Sequence, residues 1–260
     1  MAKQQCMAKV TAVTSLAEGI YSMWLLAPEI AAQAVPGQFI SLYCKNKDTL
    51  LPRPISLCEV NRTEGTLRIV FRVVGAGTEE FSKMNPGEDI RILGPLGNGF
   101  PVSECPEGKK AVLIGGGIGI PPLLQLSKEL KGEVTVVLGY RNSDTFLRKE
   151  LEEAADHVVI ATEDGSIGTK GNVIDAMGAE GVKGDVIYSC GPTPMLRGVK
   201  AWGLEHQIPA WLSLEEKMAC GIGACLACVC NSTEVDSHSN VHNKRICKDG
   251  PVFLSTDIEL

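Results

Sequence analysis

The 260-residue sequence has no run of 18 apolar residues. Its longest candidate, Val112 to Leu124, is short and broken by glycine and proline. A membrane-spanning helix is therefore excluded. The N-terminal stretch MAKQQCMAK has no apolar core of the kind a secretory signal needs, so a cytoplasmic protein is expected. There is no excess of basic charge, since 25 Lys and Arg face 31 Asp and Glu for a net charge of −6. Nucleic acid is therefore not expected as a partner. Histidine is scarce, with four residues, and no nucleophile motif stands out. That leaves little for acid–base work on a substrate. No internal repeat or low-complexity tract is evident. With 44% hydrophobic and 22% charged residues, what remains is an ordinary globular composition. The length allows one or two domains, or three if one is small.

Cysteine, by contrast, is plentiful. Of ten cysteines, five (Cys220, Cys225, Cys228, Cys230 and Cys247) fall in one late window. A chain this long buries a core without disulfide help, so a dense cluster points to a metal or redox centre. Cys220-x4-Cys225-x2-Cys228, with Cys247 further on, has the spacing of a plant-type [2Fe–2S] site. Gly221 and Gly223 lie in the loop that would wrap such a cluster, where positive φ is useful. A zinc site is the alternative, with Cys225 and Cys228 as one half and His238-x3-His242 as the other. The gap from Cys228 to His238 is nine residues, against about 12–15 in zinc fingers. Cys230 lies two residues from Cys228, a tight chelate for one iron, so Cys247 is the expected fourth ligand.

Along the chain the pattern changes twice. Up to about residue 100 the sequence reads as short strands (Val10–Thr14, Ile20–Leu26, Gln38–Cys44, Thr66–Val74, Asp89–Leu93) between Gly and Pro turns, which suggests a small barrel or sandwich. From Lys110 to Leu204, apolar strands alternate with helices of about ten residues, the pattern of a parallel nucleotide-binding sheet. From Trp211 the chain is Cys- and Gly-rich, then polar.

Four further motifs carry chemistry. Gly117-Ile118-Gly119-Ile120-Pro121-Pro122 follows a strand and opens a helix, where Gly117, Gly119 and Pro122 suit a pyrophosphate turn. No Lys-Ser/Thr follows, so it is not a P-loop. Cys190-Gly191-Pro192 ends a strand at the carboxyl edge of the sheet, where α/β folds bind ligands. Arg53-Pro54-Ile55-Ser56 offers a guanidinium and a hydroxyl for a phosphate and a ring. Val70-Phe71-Arg72 runs into a glycine turn containing Gly77 and Thr78. Each of these, taken alone, would equally suit a plain turn or strand. After the second α/β strand comes Gly139-Tyr140-Arg141-Asn142-Ser143-Asp144, which has one basic residue and so leans toward NAD over NADP.

In this order the motifs resemble the ferredoxin–NADP reductase superfamily. The segments Leu214–Cys230 and Ile246–Phe253 narrow the resemblance to the electron-transfer subunits of NAD-linked dihydroorotate dehydrogenases. The resemblance implies a multi-domain β plus α/β fold. A flavin-binding antiparallel β-barrel (1–100) is followed by a parallel α/β NAD-binding domain (101–207) and a small [2Fe–2S] domain (208–260). It implies FAD held by Arg53, Pro54, Ile55, Ser56, Val70, Phe71, Arg72, Gly77 and Thr78. NAD would lie on Gly117, Gly119, Pro122, Arg141, Gly191 and Pro192, with Cys190 as the catalytic residue approaching the nicotinamide. The cluster would be held by Cys220, Cys225, Cys228 and Cys247. It also implies an FMN-containing dihydroorotate dehydrogenase catalytic subunit as partner, two of each, serving pyrimidine biosynthesis. Two departures follow: Ile55 replaces a tyrosine common in the superfamily, and the chain continues past the nucleotide domain, so no C-terminal aromatic caps the flavin. The rival expectations are an NAD(P)H reductase of another ferredoxin- or hydrogenase-linked complex, and a redox-sensing or zinc-stabilised interaction module. Lys217, Lys244, Arg245 and Lys248 read either as a solvated face or as a docking rim.

Overall fold

The computed structural model describes residues 3–46, 49–235 and 240–260. Strands β1 (Gln4–Ala17), β2 (Ile20–Leu26), β3 (Phe39–Tyr43), β4 (Arg53–Asn61), β5 (Thr66–Arg72) and β6 (Asp89–Leu96) form a closed antiparallel barrel in the order β1-β2-β5-β4-β3-β6. Inward residues alternate along each strand, as in Ile40 and Leu42 on β3 and Ile69 and Phe71 on β5, all but fully buried. Phe71 stacks on Tyr21 and meets Phe81 edge-on, each at 6.2 Å between ring centroids. Short helices α1 (Pro28–Ala31) and α2 (Ala76–Ser82) sit in the barrel connections.

The second body is a seven-stranded sheet. It contains β7 (Lys110–Gly116), β8 (Glu133–Tyr140), β9 (His157–Thr162), β10 (Thr169–Lys170), β11 (Val186–Cys190), β12 (Ala210–Ser213) and β15 (Val252–Leu254), in the order β10-β9-β8-β7-β11-β12-β15. Only β15 runs antiparallel to its neighbour. Helices α3 (Pro121–Glu129), α4 (Arg148–Ala154), α5 (Val173–Ala179) and α6 (Thr193–Glu205) connect the strands. The continuous apolar run Ala111–Ile114 on β7 is buried throughout, as a central strand covered on both faces requires. Two strands of this sheet, β12 and β15, lie beyond residue 207 and bracket the cysteine-rich segment. Within that segment β13 (Val229–Asn231) and β14 (Asn243–Arg245) form a two-stranded ribbon.

The barrel and the sheet are joined by a charged knot. Arg68 pairs with Glu59 at 2.6 Å and with Glu150 of α4 at 2.8 Å, and Lys128 of α3 also reaches Glu59. The Gln125 side-chain Oε1 accepts the Val60 N–H at 2.8 Å. The cysteine-rich segment rests on the barrel tip, where Asn98 N–H donates to the Gly250 carbonyl at 2.6 Å and the Asn98 amide donates to Asp249 at 2.9 Å. Among the described residues, no helix is long and apolar enough to cross a membrane.

Candidate functional site: two pockets and a cysteine loop

The topological switch of the sheet lies between β7 and β11, whose ends pair Gly115 with Cys190. At that point, outside the carboxyl ends of the strands, opens a cleft of about 600 Å³, as open α/β sheets favour. Gly117, Gly119, Arg141, Gly191 and Pro192 line it, together with Arg72 from the barrel. Gly117 takes a φ of +53°, and a Cβ on Gly119 would overlap the Cys190 carbonyl. Only glycine lets the turn after β7 press against the end of β11. Pro122 is buried within the first turn of α3 and is not among the residues that line the cleft. Its part in the turn is to start the helix.

Cys190 closes β11 and is 1% exposed. Burial, followed by the nearby Glu215 carboxylate, pushes its thiol above the usual range, only partly offset by a hydrogen bond with Ser213. Raised from its ordinary value, the thiol stays neutral. Glu215 lines the cleft. Its side chain is solvent-exposed in the cleft, and partial desolvation by its protein neighbours raises its pKa. Sequence reading missed both Glu215 and Ser213, because strand pairing Cys190↔Ser213, not sequence proximity, brings them to Cys190.

The Arg53–Ser56 motif lies in a strand of the barrel and not in a surface turn. β4 pairs with β3 from Arg53 to Ser56, but with β5 only from Leu57, opposite Ile69. Continuing that register would set Ser56 against Val70 and Pro54 against Arg72. No such pairing forms among the described residues, so the barrel is split between the two segments that the sequence singled out. Pro54, which has no N–H to donate, is tolerated because this edge is unpaired. At the foot of the split Gly77 approaches Arg53 so closely that a Cβ would lie 2.5 Å from its Nε and 3.0 Å from the Cys44 sulfur. The first intrahelical bond of α2 runs from Glu79 to Gly75 at 2.9 Å, which leaves the Ala76–Thr78 amides ahead of the ladder. The Thr78 hydroxyl is taken by Val74 N–H at 2.9 Å and itself donates to the Gly75 carbonyl at 3.0 Å. An unpaired strand edge, a guanidinium and the amides at the start of α2 are a donor set that fits a flavin dinucleotide. Phe71 offers only its backbone, since its ring fills the barrel core.

The cysteine loop gathers four thiols in two pairs. Cys225 lies near enough to Cys220 to lower its pKa, and Cys228 near enough to Cys247 to raise that thiol, after burial. The amides of Ile222 and Ala224 point at Cys220 Sγ at 3.4 and 3.3 Å, and Cys247 N–H points at Cys228 Sγ at 3.4 Å. Burial works to raise Cys220, but these amides and Cys225 outweigh it and hold the thiol down to about 6. Among the described residues no three metal-ligating side chains converge on one point. Four thiols set two and two would suit a two-iron cluster, in which each iron takes two thiolates, better than a single ion. Gly221 and Gly223 take φ of +68° and +86°. Cys230 stands apart. Its thiol donates to the Lys244 carbonyl at 3.5 Å, and burial above all pushes it up to about 11. His238 lies outside the described residues, and His242 is exposed.

One brace escaped the sequence reading. Arg245 is 7% exposed, holds Asp249 through Nε at 3.0 Å, and donates to the Gly223 carbonyl at 3.3 Å. It ties the Cys247 turn to the Cys220–Cys225 loop and so does not belong to a basic rim. Lys244 faces Glu234 at 3.7 Å.

Three family models cover the chain. They are an oxidoreductase FAD-binding domain over residues 8–100, an oxidoreductase NAD-binding domain over 113–201, and the iron-sulfur cluster binding domain of dihydroorotate dehydrogenase B over 215–259. The electron transfer subunit of dihydroorotate dehydrogenase B (NAD(+)) from Listeria monocytogenes serotype 4b is 45% identical over 256 residues, covering 97% of this chain and 98% of that one. This chain belongs to the dihydroorotate dehydrogenase B electron transfer subunits. The Bacillus caldolyticus member is 41% identical and covers 94% of this chain and 95% of its own. A solved structure of the NADH-dependent reduced ferredoxin-NADP oxidoreductase, described for flavin-based electron bifurcation, superposes with a TM-score of 0.86 at 29% identity, covering 98% of this chain and 90% of that one. The split barrel, the switch-point cleft and the paired cysteines thus correspond in chain order to the FAD, NAD and iron–sulfur domains of the dihydroorotate dehydrogenase B family.

Proposed function

We propose that this chain carries electrons from a partner that oxidises dihydroorotate to NAD+, by way of a [2Fe–2S] centre and FAD, in pyrimidine biosynthesis. A two-iron cluster exchanges one electron at a time, a nicotinamide takes a hydride, and a flavin does both, which is why the three belong on one chain. The observation that carries this reading is the placement of the split barrel strand between the cysteine loop on one side and the switch-point cleft on the other. Gly221 of the cysteine loop packs on Ser41 of β3, the strand paired with Arg53–Ser56, while Arg72 across the split lines the cleft.

In this reading Arg53 and the Gly77–Thr78 turn bind the FAD pyrophosphate, and the open edges at Pro54–Ser56 and Val70–Arg72 take the flavin. Gly117, Gly119, Gly191 and Pro192 bind the nucleotide, and Cys190 with Glu215 fixes the nicotinamide end. Arg141 is set among Asp144, Glu163 and Glu18 at the cleft, an acidic surround that repels a 2′-phosphate and favours NADH. Cys220 and Cys225 hold one iron, Cys228 and Cys247 the other. The flavin unit is 1–100 and the nucleotide unit begins at 101; the boundary expected at 207 moves, because β12 and β15 complete the nucleotide sheet and leave 214–251 as the cluster segment.

The dihydroorotate site belongs to a separate FMN-containing catalytic subunit, assembled two and two in the cytoplasm. Ile222, Leu226 and Val229 are exposed around the cysteines, with Val241 nearby in sequence, an apolar surface suited to a partner. The chain purified alone should carry iron and labile sulfide, show flavin and iron–sulfur absorption, and oxidise NADH faster than NADPH with artificial acceptors. Dihydroorotate-dependent reduction of NAD+ by the lone chain, or a colourless protein, would overturn the reading.

A further inference from the structure

Ser41 sits on the outer wall of the barrel, between Ile40 and Leu42, which face the barrel core. It is 1% exposed, and its hydroxyl has no hydrogen-bond partner among the described residues. A buried hydroxyl left unpaired is costly, and two neighbours flank this one. On one side is Pro54, its pairing partner on β4, which has no N–H and belongs to the flavin strand. On the other is the cysteine loop, since a Cβ on Gly221 would lie 3.1 Å from Ser41 Oγ. Gly221 is bonded directly to Cys220. The loop amides of Ile222 and Ala224 are already committed to the Cys220 sulfur, so a hydroxyl with a proton to give lies against the backbone next to Cys220 with those donors turned elsewhere.

We propose that the Ser41 hydroxyl donates a hydrogen bond to sulfur of the cluster held by the Cys220 loop, and thereby raises the cluster's reduction potential. The step it affects moves one electron onto the centre and off again. No bond forms or breaks and no proton transfers. The centre gains one negative charge on reduction, and a donor aimed at its sulfur stabilises the more negative state. Ser41 is thus a positioning and tuning residue contributed by the barrel to a cluster whose ligands all lie in another segment. The inference rests on the four-cysteine assignment.

The test is a redox titration of the full chain with cluster and FAD bound. The cluster is followed by electron paramagnetic resonance and the flavin by visible absorption in the same samples. Ser41→Ala should lower the cluster midpoint by the equivalent of about a tenfold change in the reduced-to-oxidised ratio, about 59 mV for one electron. The flavin midpoint should stay in place, and Ser41→Thr should restore the cluster value. An unmoved cluster midpoint in Ser41→Ala would overturn the proposal, as would a shift carried by the flavin alone, which would make FAD the acceptor. If Ser41→Ala loses iron, the comparison passes to Ser41→Cys, whose weaker donor should give a smaller fall; a wild-type midpoint there would also overturn it. Failure of the four-cysteine assignment reads differently, as a wild-type chain with no [2Fe–2S] signal at all.

Discussion

The barrel and the cysteine-rich segment sit side by side and are held together by opposite means. The barrel closes on itself, with every strand paired on both sides apart from the split at β4, and fills its interior with its own Leu, Ile and Phe side chains. Among the described residues, the cysteine-rich segment has one ribbon of three residue pairs and no core cluster of its own. Its buried members, Cys228, Ile246 and Cys247, belong to a core shared with Phe39 and Leu96 of the barrel and with the α/β sheet. Apolar burial specifies the first region. The second needs a ligand to finish it, as small metal-bound units do. Where a chain lacks apolar residues enough for a core, thiolates and the amides that point at them take over the task.

Four measurements would break or sharpen this contrast. The largest effect is expected at the ligands. Cys247→Ala should empty the site of iron and open residues 214–251 to limited proteolysis while the barrel stays intact. Cys230→Ala should keep its iron, because its thiol is turned to the Lys244 carbonyl. The reverse pattern of iron content would mean that Cys230 is the ligand.

Next comes the barrel interior. Phe71→Ala removes a ring packed between Tyr21 and Phe81 and should cost about 3–5 kcal/mol, seen as a fall in the denaturation midpoint of the whole chain. Were this loss as local as that expected for Cys247→Ala, the contrast between the regions would fail. Smaller again, Arg53→Ala should weaken FAD by about 1.5–3 kcal/mol, roughly ten- to a hundredfold, with the fold unchanged by circular dichroism. Flavin retained at wild-type affinity would remove Arg53 from the site.

The smallest effect concerns pH and the joint between barrel and sheet. Burial works to raise Glu59, but Lys128 and Arg68 outweigh it and hold the carboxyl below its ordinary range. A carboxylate with a depressed folded pKa adds stability that is present above its unfolded value, about 4.3, and is lost as pH falls through the folded one. Glu59→Gln should therefore flatten the acid limb of the stability curve below about pH 4.3. An unchanged limb would show that the knot carries no charge-dependent stability.

Much of this architecture was legible from pattern. Alternating apolar strands marked the barrel, continuous ones the parallel sheet, and cysteine spacing the cluster loop. The misses share a physical cause. β4 escaped notice because it opens with Arg53-Pro54, a proline that argues against a strand unless one edge is left unpaired, and here it is. α2 is seven residues long and contains Gly77, too short and too weak in propensity to announce itself. Glu215, Ser213, Arg245 and Ser41 act through neighbours far away in sequence. Their roles follow from strand register and from which loop lies over which wall, and no local periodicity encodes that.

The strands β12 and β15 have a consequence for how such a chain could have been put together. They are neighbours, with Ser213 opposite Val252, so residues 214–251 leave the sheet and return to it at one spot. A loop whose ends are already pinned adds little closure entropy however long it grows. The cluster segment is thus a cassette plugged into a hairpin of the nucleotide sheet. An ancestor with a short turn at that place would keep its seven strands and its flavin, and would lack only the terminal that faces the outside world.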